Sequence, residues 1–177
     1  MMDTTYEKDS LPYKFLSLSI LGLGIINLLV FFTPFIAYKH AFDPFDNGYQ
    51  LLQYFAISPS EGIPIAISTW AIFTVSVVTA IYGCYLYYHK KHFNIYKHLR
   101  IIEKSSYAYL GIISTGMIII FIMIDQIRFQ YIQHSIAVPE SGIGLQIFLW
   151  LNIIAPIIMR FVVVVIHARL AQNISSN

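Results

Sequence analysis

Long runs without any charged side chain dominate the sequence. They cover residues 15–38, 62–89, 105–124 and 141–159, and the last resumes beyond Arg160 as 161–168. Their apolar residues surround the whole helix instead of one face, a pattern typical of segments surrounded by protein or lipid. About 20 helical residues cross a hydrocarbon core of ~30 Å. The pattern predicts transmembrane helices at about 15–38, 62–88, 105–127 and 142–168.

The same runs limit the fold class. In lipid, backbone N–H and C=O groups must be satisfied within the protein, and runs of this length favour helices over tilted strands of ~10 residues. The first run exceeds the apolar core of a signal peptide and has no small-residue cleavage site after it, so we expect it to be retained. The connections are too short for a soluble domain. We predict one membrane domain over 1–177, an all-α integral membrane protein folded as a four-helix transmembrane bundle.

Composition agrees with a membrane protein, and the basic residues orient it. The chain is 57% hydrophobic and 11% charged, whereas soluble domains are about 25% charged. Most Lys and Arg residues flank the termini or lie between the second and third runs, and the other two connections hold only Lys39 and Arg128. The positive-inside rule then places the N and C termini in the cytoplasm and loops 39–61 and 128–140 outside. A plasma membrane and an organellar inner membrane satisfy this rule equally.

The basic connection predicts contact with anionic lipid headgroups. Each Lys or Arg near an anionic surface adds about 1 kcal/mol of attraction, and the residues concerned are Lys90, Lys91, Lys97, Arg100 and Lys104. Phe93, Tyr96, Leu99 and Ile102 recur every three residues, which indicates an interfacial helical turn leading into the third span. Because Glu103 is the only acid beside the three histidines of this connection, lipid anchoring is favoured over metal binding.

Small residues at helical spacing predict a helix-packing face on the second span. Ser76, Ala80 and Cys84 recur every four residues, and small side chains allow close backbone approach in lipid. Cys84 is the only cysteine, so no disulfide within the chain is possible and we interpret it as a packing residue.

The first outer loop is rich in aromatic residues. We expect residues 48–55 either to lie in the interface as a short amphipathic helix or to fold over the helix ends. A surface for a ligand or a partner is the alternative interpretation of this segment.

Arg160 is the exceptional charge, because it lies inside the fourth predicted helix. Its position is ~8 Å from that helix's centre on the cytoplasmic side. Asp125 lies on the opposite side of the midplane, too far in depth to pair with Arg160, and is predicted to pair with its i+3 neighbour Arg128. Three interpretations of Arg160 remain: snorkelling to the cytoplasmic surface, a partner subunit or lipid headgroup, and an anion or substrate site.

Uncharged polar residues form a second set near the membrane midplane. Asn27 and Asn152 belong to it, together with Thr74, Ser76, Ser114 and Thr115. Facing inward, they would form interhelical hydrogen bonds of ~0.6 kcal/mol each. A water-filled polar pathway would use the same residues, although no pair of broken helices in matching halves supports a transporter.

Catalytic motifs and haem-ligating patterns are absent from the sequence, so we expect no cofactor, no metal and no nucleic-acid partner, and an enzyme is the third-ranked class. The plan of four helices, internal termini and a larger first outer loop resembles that of claudin-like tetraspan proteins, although their loop signature of Trp and paired Cys is missing here. The leading prediction is a non-catalytic subunit of a membrane assembly. It would act through contacts with lipids and with other subunits or a second copy of itself. The alternative is a small transporter or channel that uses Arg160 and the midplane polar residues.

Overall fold

The computed structural model describes residues 11–39, 45–53, 59–88, 95–132 and 138–175, most of them helical. The helices are α1 (Leu11–Val30), α2 (Gly48–Leu51), α3 (Pro59–Tyr88), α4 (Ile95–Ile132) and α5 (Ile143–Ser175). The strands are β1 (Pro34–Lys39), β2 (Phe45–Asn47) and β3 (Val138–Ser141). Segments long and apolar enough to cross a membrane are Gly62–Tyr88 in α3, Lys97–Arg128 in α4 and Ile143–Ala168 in α5. α1 contributes a shorter apolar segment, Lys14–Val30.

α1 ends earlier than predicted. The sequence predicted a helix over 15–38, but α1 stops at Val30. The Thr33 backbone N–H and side-chain hydroxyl both donate to the Val30 carbonyl, at 2.9 and 2.6 Å, which closes a turn. Pro34 has no N–H for a helical hydrogen bond, and its ring disfavours helical backbone at the preceding residue. The chain therefore leaves the helix and enters β1.

A small antiparallel sheet covers one end of the long helices, with β1 between β2 and β3. Ala37 pairs with Phe45 on one side and with Glu140 on the other. The Gly142 N–H donates to the Phe35 carbonyl at 2.7 Å and ties the start of α5 to β1. The sheet thus joins the predicted end of the first span to the two predicted outer loops, while the fold remains mostly helical, as the all-α prediction expects.

α4 is longer than the predicted span 105–127. It begins at Ile95, and its 38 residues measure ~57 Å, nearly twice a hydrocarbon core. The predicted interfacial turn is part of this continuous helix, and its residues Leu99 and Ile102 are buried. α5 likewise continues beyond 168, to Ser175.

Two buried clusters hold the helices together at their opposite ends. We call the end beside β1–β3 the sheet end and the end that carries Lys97, Arg100 and Lys104 the basic end. The basic-end cluster joins Leu16 of α1, Leu86 of α3, Leu99 of α4 and Ile166 of α5. The larger cluster at the sheet end contains Phe31, Phe35, Ile65, Ile120 and Phe148 among others. Successive long helices therefore run in opposite directions.

α1 and α3 approach each other closely through glycines on each helix. A Cβ on Gly24 would overlap the backbone of Ala80, and a Cβ on Gly83 would overlap that of Leu21. Ser76 of α3 is fully buried. Cys84, next to Gly83, is exposed, and its role as a packing residue stays a prediction.

Residues 47–52 of the first outer loop fold over the helix ends, and residues 54 and 55 of the predicted segment lie outside the described residues. Asn47 caps α2 by accepting a hydrogen bond from the Gln50 N–H at 3.0 Å, and the Gln50 side chain accepts from the Asn47 N–H at 2.7 Å. Leu51 is fully buried. The Trp70 indole donates to the Leu52 carbonyl at 3.1 Å and fastens the end of this turn to α3. Of the two arrangements expected for this segment, these contacts match folding over the helix ends.

Candidate functional site

A buried polar network links three helices inside the protein. Asn27 of α1 and Asn152 of α5 pair through their amides, with Asn27 Nδ2 3.0 Å from Asn152 Oδ1 and Asn152 Nδ2 3.1 Å from Asn27 Oδ1. Tyr109 of α4 completes the network: its hydroxyl accepts from Asn27 Nδ2 at 2.8 Å and donates to Asn152 Oδ1. Both asparagine side chains are essentially inaccessible to solvent. The network therefore satisfies polar groups that would be costly to leave unpaired in an apolar interior.

The network uses most of the hydrogen-bonding capacity that its members have. Asn152 Nδ2 makes a further bond to the Phe148 carbonyl at 2.7 Å, one helical turn away. Ser76, a member of the midplane set, bonds within its own helix, to the Ile72 carbonyl at 2.9 Å. Thr74 and Thr115 are exposed on the outside of the helices. The midplane residues thus divide into a closed network and separate hydroxyls, not a continuous polar path.

Tyr109 is the network member that sequence reasoning missed. Tyr109 lies in the uncharged run 105–124, whose predicted midplane polar residues were Ser114 and Thr115. A tyrosine within an uncharged run carries a hydroxyl that usually finds a partner when buried, and this was the available signal. Which partner it finds depends on how α4 is rotated against α1 and α5.

Arg160 lies against an aromatic ring of the neighbouring helix. Its guanidinium carbon is 3.9 Å from the centre of the Tyr107 ring, a cation–π contact between α5 and α4. Arg160 and Tyr107 lie at nearly the same depth on neighbouring antiparallel helices, so the guanidinium can reach the ring. Among the described residues, no carboxylate lies within 4.0 Å of the guanidinium.

Arg160 and Tyr107 border a groove of about 330 Å³ between α4 and α5, which we call the α4–α5 groove. Its other ionisable lining residues are Glu103 on α4 and His167 on α5. Ile102, Ser106, Met159, Val163 and Val164 complete the lining. Both Arg160 and Tyr107 are exposed, so the groove opens on the side of the protein and not into a central channel.

The predicted headgroup residues lie at or near this end of the protein. Lys97, Arg100 and Lys104 are exposed along the first turns of α4. Lys90 and Lys91 lie outside the described residues. The three described side chains form part of the surface that the sequence assigned to lipid headgroups, and that assignment stays a prediction.

At the sheet end, Arg128 pairs differently from the prediction. Its guanidinium lies 3.8 Å from a carboxylate oxygen of Glu140 in β3, instead of pairing with Asp125 one turn earlier. Asp125 is exposed on α4. Because the sheet brings Glu140 beside α4, a contact that sequence spacing did not reveal replaces the local one. Both side chains of the ion pair are partly exposed, which limits its contribution to stability.

A second cavity, of about 370 Å³, lies among α1, α3, α4 and α5. Its lining is mostly apolar, with Leu23, Val75, Ile112 and Met159 among the residues, and the hydroxyls of Tyr82 and Tyr109 are its larger polar groups. Arg160, Asn27 and Asn152 are not among its lining residues. This cavity suits an apolar molecule better than an ion.

Within the described ranges, no group of three His, Cys, Asp or Glu side chains is arranged to hold a metal ion. Comparison with protein-family models, curated proteins and solved structures found no match to this chain. The geometry alone defines the class: a mostly helical protein with three helices long and apolar enough to cross a membrane and one shorter apolar helix. This architecture is compatible with a multi-pass membrane protein.

Proposed function

We propose that the chain is a non-catalytic subunit of a membrane assembly, with α1, α3, α4 and α5 all crossing the bilayer. The observation that carries this proposal is the closed network of Asn27, Tyr109 and Asn152. Its polar groups bond to one another between helices, as expected of residues that stabilise packing in lipid. A conduction pathway would instead require such groups to face water.

The outer surface of the helices supports a membrane-embedded role. α5 exposes a row of large apolar side chains, including Ile147, Trp150, Ile154 and Phe161. Apolar surface of this extent belongs against lipid or another protein. We place the contact with a partner subunit, or with a second copy of this chain, on the Trp150 face of α5, where a shallow groove of about 410 Å³ lies.

Topology follows from the charges. Lys97, Arg100 and Lys104 lie at the basic end, and the proposed topology has that end and both termini in the cytoplasm, as the positive-inside rule favours. Cysteine labelling tests this directly. In a Cys84→Ser background, an impermeant maleimide should label Glu140→Cys in intact cells and Lys104→Cys only after permeabilisation. Labelling in the reverse order would refute the orientation.

The alternative function is a small transporter, and the cavity among the four long helices is the observation that favours it. Because the cavity lining is apolar, the cargo would be an apolar molecule. Arg160 would then act where the cargo enters between α4 and α5 and not along a central path, since it borders the α4–α5 groove.

Gentle extraction followed by mass spectrometry separates the two functions. A subunit should co-purify in fixed ratio with another membrane protein or as a homo-oligomer, and a photo-crosslinker in place of Trp150 should capture that partner. A crosslinker in place of Tyr88, exposed on α3, is the matched control. A lone monomer that accumulates an apolar compound in vesicles, with uptake abolished by Arg160→Ala, would overturn the subunit proposal.

A further inference from the structure

The α4–α5 groove contains two opposite charges that do not pair with each other. Arg160 and Glu103 both line it, yet among the described residues neither has an oppositely charged group within 4.0 Å. A groove that holds a separated cation and anion is electrostatically complementary to a ligand that carries the same two charges in the opposite order.

The two charges occupy different depths along the helices. Counted from the midpoints of their apolar segments, Arg160 and Tyr107 lie ~7 and ~8 Å toward the basic end, and Glu103 lies ~14 Å in the same direction. The half-thickness of a hydrocarbon core is ~15 Å. Arg160 is therefore ~8 Å inside the apolar region, with its guanidinium against Tyr107, and Glu103 is at the level where headgroups begin, so a phosphate that reaches Arg160 has to enter the groove below that level.

A phospholipid presents its charges in the matching order. Its phosphate is closest to the acyl chains, and any cationic group of the headgroup lies farther toward water. The planar guanidinium of Arg160 binds phosphate oxygens through paired N–H donors. A carboxylate at the Glu103 level can accept hydrogen bonds from an ammonium group, which a quaternary ammonium cannot donate.

We propose that the α4–α5 groove is a binding site for phosphatidylethanolamine, with its phosphate on Arg160 and its ammonium on Glu103. The groove volume of about 330 Å³ is at the lower end of the range for small-molecule sites and accommodates a headgroup. The acyl chains lie along Ile157 and Leu110, which are exposed on the midplane side of Arg160 and Tyr107. The site rests on the membrane insertion in the proposed function but not on any partner subunit.

The test measures lipid preference on the purified full-length protein in a neutral detergent. Phosphatidylethanolamine, phosphatidylcholine and phosphatidylglycerol with the same acyl chains are added singly, and occupancy is read by native mass spectrometry together with the thermal unfolding midpoint. A hydrogen-bonded charge pair corresponds to about a tenfold preference, which we expect for the ethanolamine lipid over the other two.

Three variants assign this preference to the groove. Arg160→Gln should lose binding of all three lipids, whereas Arg160→Lys should keep the ethanolamine preference at lower affinity. Glu103→Gln should still bind lipid but lose its preference for ethanolamine over glycerol headgroups. Arg128→Gln, which changes an exposed arginine at the sheet end, should behave like the unchanged protein.

Several results would overturn the proposal. Equal binding of the three lipids, or a preference for phosphatidylglycerol that survives Glu103→Gln, would show that the groove does not read the ammonium group. If soluble phosphoethanolamine raises the thermal unfolding midpoint as much as phosphatidylethanolamine does, the site binds a free ligand and not a lipid. Co-purification of partners with the unchanged protein is measured separately, so an unchanged protein that shows no lipid preference but keeps its partners refutes only this site.

Discussion

Replacing Asn152 with leucine removes the centre of the buried polar network while keeping the side chain's approximate size. Asn152 makes two hydrogen bonds with Asn27 and one with Tyr109, all of them between helices. The substitution leaves the Asn27 amide and the Tyr109 hydroxyl with only each other as partners. Because Asn27 is fully buried, water cannot replace the lost bonds.

The expected cost follows from the number of bonds between helices. At ~0.6 kcal/mol per interhelical bond in lipid, the loss of three destabilises the protein by about 2 kcal/mol. Asn27→Leu also removes three bonds and should cost about the same. The double variant removes only one bond more than either single variant, so its cost of about 2.4 kcal/mol falls short of the sum of the singles by about 1 kcal/mol.

Unfolding of the detergent-solubilised protein by added SDS, followed by circular dichroism, measures these free energies. Thr115→Val is the matched control, because Thr115 is an exposed hydroxyl residue on α4 outside the network and valine has nearly the same shape. We expect this control to shift the free energy of unfolding by less than about 0.5 kcal/mol. If Asn152→Leu unfolds like the control, or if the two leucine substitutions are additive, the network does not hold α1 and α5 together.

Three further substitutions test the close contacts of the fold. Gly24→Ala should destabilise the protein by about 1–3 kcal/mol in the SDS titration, because the new methyl overlaps the α3 backbone, whereas Gly22→Ala, which meets no atom within 4 Å, should be neutral or stabilising. Equal effects of these two would contradict the α1–α3 packing. Gly142→Ala should accelerate amide hydrogen exchange in β1 and β3 through overlap with β1, and Gly111→Ala, which has open space, should leave that exchange unchanged. Trp70→Phe should raise amide exchange in α2 about fivefold by removing a bond worth ~1 kcal/mol, and unchanged exchange would show that this bond does not fasten the turn.

The apolar runs coincide with helical parts of α3, α4 and α5, because length and hydrophobicity are local properties, but α4 and α5 extend beyond the predicted spans. The apolar runs were less informative about where a helix ends. Residues 34–38 are as apolar as the helix before them, and Pro34 was the only local signal that α1 stops near Val30. Strands as short as β2 and β3 form because β1 lies between them, and no local pattern shows that arrangement.

The residues of the candidate sites likewise divide into those that the sequence identified and those that it did not. Asn27, Asn152 and Arg160 could be selected from the sequence because polar groups are rare in such runs and therefore costly there. Their partners could not be, since Tyr109 and Tyr107 resemble the other aromatic residues until the rotation of α4 is known. The partner of Arg128 was predicted from i+3 spacing, but the sheet supplies Glu140 instead.

The sequence by itself determined that the chain is mostly helical and which polar side chains lie within its apolar segments. Hydrophobicity and segment length decide those properties locally, residue by residue. The tertiary structure alone decided that Asn27 meets Asn152 and that the end of the first predicted span forms one sheet with segments of both outer loops. It also decided that Arg160 lies over Tyr107 with Glu103 in the same groove. These contacts depend on the depth and rotation of each helix relative to its neighbours, as in the close approach of Gly24 to Ala80, and not on any single segment.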